Sequence, residues 1–174
     1  MQAVQITRRE LKLFWTDQAA KQIGMWNEII TEADAGKFVN RVYGFHDSCI
    51  KELNYVSGAY VAEDFGMHPL NTKRCLKLII QSQMETVGTI EMEFSGVDFF
   101  SMRPCSEEWT CEILEASLVI KEGKIWWYDE AERFVEDPQE YGGNVICAEK
   151  MRWRFLKNRM GDGAILIQEN TAEE

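Results

Sequence analysis

Four consecutive residues, His46-Asp47-Ser48-Cys49, place an imidazole, a carboxylate, a hydroxyl and a thiol in one short stretch of chain. These are the side-chain types from which general bases and activated nucleophiles are assembled. A base and the group that orients it must share a hydrogen bond, yet successive side chains on an extended strand point to opposite faces. His46 and Asp47 can therefore share a proton only if the chain turns sharply between them. The plainer reading is a polar turn leading from a helix into a first strand, with Asp47 or Ser48 bonding nearby backbone amides. His46 and Asp47 stand as candidate binding residues, and no residue is assigned a catalytic role.

A metal site needs three or four converging ligands. His46, Cys49 and His68 with a carboxylate are the residues that could converge, but the chain has two histidines in all and no pair four apart on a helix. Neither a metal nor another cofactor is expected. The five cysteines are odd in number and widely spaced, and read as small buried hydrophobes in a reducing cytosol. Phosphate-loop, dinucleotide-fingerprint, nucleophile-elbow and metalloprotease patterns do not occur.

Lys150, Arg152, Arg154, Lys157 and Arg159 interleave with Trp153 and Phe155, a pattern superficially like a surface for single-stranded nucleic acid. Alternation puts Arg152 and Arg154 on the face opposite those two rings. It predicts instead cross-strand pairs with Glu91 and Glu93, worth roughly a few tenths of a kcal/mol each. The net charge of −10, from 29 acidic and 19 basic side chains, repels a polyanion, so nucleic acid is not an expected partner. Trp126 and Tyr128 point away from the face that takes Ile125 and Trp127. A large ring on a wet face lies under a loop, lines a pocket or meets a partner, which makes Trp126 and Tyr128 the other candidate binding residues.

The elements that would carry these groups follow from periodicity. Thr16 can cap a helix in which Ala19, Ile23, Trp26, Ile30 and Ala33 follow steps of four and three, broken near Gly36 and resumed for a short turn to Gly44. Residues 4–15 suit a strand slightly better than a helix. From Cys49 the period becomes two. Strands are expected over 49–57, 75–80, 89–94, 111–120, 125–129 and 145–156, with a last short one over 164–168. Lys121-Glu122-Gly123-Lys124 closes a hairpin, and residues 129–143 form an acidic exposed excursion.

The helix stripe and the dry face made by Leu78, Met92, Leu118, Trp127 and Trp153 need one another. The expected fold is thus α+β: an amino-terminal helix packed on a mainly antiparallel sheet of about six to seven strands. A chain of 174 residues makes one domain, with 1–44 mostly helical, 45–168 mostly β and 169–174 frayed. Residues 1–13 lack a signal-peptide core and no run is apolar enough to span a bilayer, so a cytoplasmic location is expected and a membrane is not.

The stretch Gly44-Phe45-His46-Asp47-Ser48-Cys49-Ile50, leading into a strand and followed by paired strands ending in Phe94-Ser95-Gly96-Val97, resembles a pattern in small uncharacterised bacterial α+β proteins. Some of these are grouped with immunity proteins of polymorphic toxin systems. The resemblance spans residues 44–128 and implies an acidic bacterial protein that binds a protein partner without catalysis. The leading expectation is accordingly a non-enzymatic protein-binding domain. The alternatives are a small-molecule binder or enzyme with a pocket between helix and sheet near His46, Cys49 and a tryptophan, or a self-associating protein.

Overall fold

Capping, not the long apolar stripe, sets where the helix begins. In the computed structural model, which describes residues 23–131, 141–157 and 159–166, Thr31 accepts a hydrogen bond from the Asp34 amide at 3.2 Å. The Asp34 carboxylate in turn accepts from the Thr31 amide at 3.0 Å. This reciprocal box opens helix α1, Glu32–Arg41. Gly36, expected to end a helix, sits inside it. Its cost of about 1 kcal/mol is offset by the cap and by Ala35, Phe38 and Val42, which are buried along one face.

The helix expected to run from Thr16 to Ala33 is corrected over its described part: Asn27–Ile29 is a short strand, β1, and residues 16–22 lie outside the described residues. In the described part of the first quarter the helix thus follows β1, over Glu32–Arg41, with the 3₁₀ turn at Tyr43–Phe45 after it. Hydrogen bonds from Thr31, side chain first, hold the Asp34 carboxyl below its ordinary value of 3.8. The cap is therefore at full strength above that pH and is lost as acid titrates the lowered carboxyl. Thr31→Ala is expected to cost about 1 kcal/mol at neutral pH by urea unfolding, and a change indistinguishable from zero would show that packing alone fixes the helix start.

A 3₁₀ turn, Tyr43–Phe45, leads into β2 (Ser48–Val56). The two-residue strands β3 (Tyr60–Val61) and β4 (Met67–His68) form a separate small sheet. There follow β5 (Cys75–Ser82), β6 (Thr89–Ser101), β7 (Glu112–Ile113), β8 (Ser117–Lys121), β9 (Lys124–Tyr128) and β10 (Val145–Leu156). The main sheet is antiparallel in the order β7-β2-β5-β6-β10-β9-β8, and β1 pairs with the part of the β10 edge that β9 leaves open.

Residues 111–120 make two short strands instead of one, since residues 114–116 leave the sheet and the Ala116 amide bonds the Gly44 carbonyl at 2.8 Å. Residues 164–166 are no strand. Ile165 and Leu166 instead cover Ile79 on the outer face, and their amides bond the Glu52 carboxylate at 2.6 and 2.9 Å. Residues 4–15, 132–140 and 169–174 lie outside the described residues.

The expected dry face is present. Leu78, Met92, Trp127 and Trp153 are buried, Leu118 packs against them, and Phe38 of α1 stacks on Trp153 with centroids 4.4 Å apart. Core residues Phe94 and Val97 are three apart on a strand of period two, as are Ala148 and Met151 opposite them. Gly96, at φ +65°, takes up the odd step, and a Cβ there would meet the Glu149 side chain at 2.6 Å.

On the outer face the expected pairs form: Arg152 bonds Glu93 at 2.8 Å and Arg154 bonds Glu91 at 2.6 Å. Glu91 is wholly buried, so losing either partner would strand a charge that a surface pair would leave in water. Trp26, expected on the apolar stripe of a helix, lies instead over both guanidinium groups, at 4.2 and 4.4 Å. It supplies the cation–π partner that Trp153 and Phe155 cannot.

Candidate functional site

The chain does turn sharply at the polar cluster. Tyr43, Phe45 and Asp47 take φ of +54°, +64° and +56°, and Gly44 takes +64°. The turn brings His46 Nδ1 to 2.9 Å from Asp47 Oδ1, so the two residues meet after all, on an open surface. Ser48 is buried and its hydroxyl donates to the His46 carbonyl at 3.4 Å. Cys49 is half-buried in β2, and burial first, then the neighbouring Cys111, pushes its thiol up. That is the direction opposite to an activated nucleophile. His68, the other histidine, stacks on Tyr60 at 4.4 Å. Among the described residues no group of three or more His, Cys, Asp and Glu is placed to hold a metal ion.

The space between helix and sheet near His46 is filled by Phe38, Phe45 and Trp127, whose rings meet at 5.5 and 6.2 Å. The clefts described below are lined by neither His46 nor Cys49.

Trp126 and Tyr128 occupy the face opposite Trp127, as alternation requires. Tyr128 is fully buried, with Trp126 parallel to it at 6.2 Å and Tyr141 edge-on at 5.4 Å. With Val145 and Phe99 they make a second small core. Asp129 fastens its cover, accepting from the Tyr141 hydroxyl at 2.8 Å and from the Asn144 amide at 2.9 Å. Of the three fates open to a ring on a wet face, Tyr128 takes the covering loop. Its ring is shut off from solvent there, and Trp126 keeps part of its ring in solvent.

Two surfaces that sequence reasoning missed lie along β2. The first is an arm, residues 57–74, that leaves the end of β2 and returns to β5. Its root is tight: the Lys73 and Arg74 amides both bond the Ser57 carbonyl, at 3.0 and 3.1 Å. Gly58, at φ +92°, approaches Lys73 so closely that a Cβ would lie 2.6 Å from its amide nitrogen. Beyond that root Tyr60, Val61, Phe65, Met67 and Leu70 are 58–88% exposed. At the tip the Phe65 amide bonds the Ala62 carbonyl and the Ala62 amide bonds the Gly66 carbonyl, both at 2.9 Å, and Phe65 sits at φ +66°. The signal was there in Tyr60, Val61, Phe65 and Met67, but the runs are too short to read as strands.

No family model, curated protein or solved structure matches the chain. What it does must therefore be argued from its own surfaces.

The second surface is the outer margin of β2. β7 pairs only with Ser48 and Cys49, and among the described residues no strand pairs with the rest of that edge. As β7 departs it opens a cavity of about 260 Å³ whose lining includes Ile50, Leu53, Met102, Pro104 and Ile113. The flanking segment exposes Trp109 and Leu114 at 77% and 65%, along with the carboxylates of Glu107, Glu108 and Glu112. A further cleft, of about 610 Å³, lies in the gap between β1 and the β8–β9 hairpin. No helix among the described residues is long and apolar enough to cross a membrane.

The thiols divide by exposure. The reading of all five as buried hydrophobes holds for Cys147, while Cys49 and Cys75 are half-buried and Cys105 and Cys111 are exposed. Burial raises the Cys147 thiol. Iodoacetamide is expected to modify Cys105 and Cys111 in the folded protein and Cys147 roughly ten-fold or more slowly until the chain unfolds. Equal rates, read by peptide mass spectrometry, would contradict this arrangement.

Proposed function

We propose that this chain is a non-enzymatic, immunity-like binding domain of the bacterial cytosol that docks a partner protein of basic surface through the arm at residues 60–68. Phe65 carries the reading. It is 88% exposed, so it returns almost no burial energy, and its backbone is left-handed. For a bulky L-residue that conformation costs on the order of 1–2 kcal/mol. A loop of this geometry favours glycine at the left-handed position. A ring that weakens the fold on both counts is accounted for by contact with something else, which is the direction in which strain supports a functional inference. Tyr60, Val61 and Met67 extend the apolar surface around it. Glu63 and Asp64, the two residues before Phe65 in the chain, and the net charge of −10 favour a basic partner over a second copy of the same acidic chain.

Photo-crosslinking in cells with Phe65→p-benzoylphenylalanine tests this. The expected result is one discrete adduct with a basic protein, whose binding, reconstituted from purified components, falls roughly 30-fold or more with Phe65→Gly. That variant should unfold at the same or a higher temperature than the parent. An adduct only with another copy of the chain, no adduct, or undiminished binding by Phe65→Gly would overturn the proposal.

A further inference from the structure

We infer that the free edge of β2 and the cavity beside it form a peptide site that accepts an extended, cationic segment as an added strand. This rests on the protein-binding reading and names the chemistry of the partner at a second place.

Three observations converge on that occupant. The first is the edge itself. β5 satisfies one side of β2, and β7 covers the other side only at Ser48 and Cys49. From Ile50 to Val56 the outward amides and carbonyls of the described structure form a row that another backbone can match, at the usual spacing of about 4.8 Å. The second is the cavity in line with that row. At about 260 Å³ it falls just short of the roughly 300–1,000 Å³ of pockets for whole small molecules, which suits a side chain of an added strand. Ile50, Leu53, Met102, Pro104 and Ile113 make much of its wall apolar, with Arg103, Glu112, Asp129 and Asn144 also on the lining, so an apolar side chain of the added strand can fill it.

The third is charge. Glu107, Glu108 and Glu112 are exposed on the flanking segment around Trp109, against the single cation Arg103. Glu112 lines the cavity itself, and carboxylates on the segment that borders it favour Lys or Arg on either side of the apolar anchor. Trp109, 77% exposed, offers a ring face to the same cations. The segment so described alternates apolar and basic residues.

The probe is a fluorescent seven-residue peptide of alternating lysine with valine or leucine. Two control peptides accompany it, one N-methylated at alternate amides so that it cannot pair and one with glutamate for lysine. The parent protein should bind the lysine peptide saturably, with exchange of the outward amides of residues 51–55 slowed roughly ten-fold or more on binding. Neither control peptide should bind. Leu53→Arg, which puts a cation at the cavity wall, and Glu107→Lys/Glu108→Lys, on an exposed loop whose folding these changes should not disturb, should each weaken binding at least ten-fold. Equal binding of the N-methylated peptide, unprotected β2 amides, or full affinity in Leu53→Arg would overturn the inference. Phe65→Gly should leave peptide binding unchanged. Failure of the peptide alongside a successful crosslink at residue 65 would therefore remove this site and spare the arm.

Discussion

Arg154→Met is expected to lower the unfolding free energy by about 3 kcal/mol, the usual consequence of stranding a buried charge. Glu91 has no solvent exposure, and both the Nε and the Nη2 of Arg154 approach its Oε2 at 2.6 Å. Lys77 is the other cation at hand, 3.7 Å from Oε1, beyond hydrogen-bond range. With Arg154 gone the buried carboxylate keeps only that one distant cation. The substitution also removes a guanidinium from beneath Trp26. Glu91→Leu/Arg154→Met, which removes both charges, is expected to lie within about 1 kcal/mol of the parent, because paired ions that are well replaced by apolar groups are often dispensable. Urea unfolding of the single and double variants measures both. Because the pair is shielded, 0.5 M salt should leave the difference nearly intact. A single-variant loss below about 1 kcal/mol would mean that water reaches Glu91.

Phe38→Ala should be costlier still, about 4 kcal/mol. The ring is 1% exposed, stacked on Trp153 and edge-on to Phe45, so truncation leaves a cavity at the junction of helix, turn and sheet. A helix of ten residues is marginal on its own, and Phe38 is the largest side chain by which α1 is held to the sheet. Amide exchange should therefore show the helix opening well before β6 and β10. Uniform loss of protection across helix and sheet would show instead that the two form one cooperative unit.

The sheet was legible because its pattern is local. β10 occupies the span that alternation predicts, and Leu78, Met92 and Trp153 turn inward as their parity requires. The helix was misplaced because Ile23, Trp26, Ile30 and Ala33 fit a helical step by coincidence. Ile23 bridges to Phe155, Trp26 lies on Arg152 and Arg154, and Ile30 is 72% exposed. Those partners are remote in sequence, and no window along the chain contains them. The His46–Asp47 contact was legible only as a condition, since it depends on left-handed backbone at Tyr43, Phe45 and Asp47, which only the neighbouring Gly44 hints at. The arm was missed for the same reason: Phe65 stands where turn chemistry anticipates glycine. The cavity was missed because it arises from β7 parting from β2, a matter of register between distant segments.

Two contacts made by Trp153 of β10 bear on the order of assembly. Asn27 pairs with Trp153, and Phe38 rests on the same tryptophan. During synthesis the early strand and helix emerge long before the surface that seats them, while β2, β5 and β6 can already pair among themselves. The pairing of β1 and the stacking of Phe38 must therefore await Trp153, on the last of the described strands, so these contacts close late in synthesis.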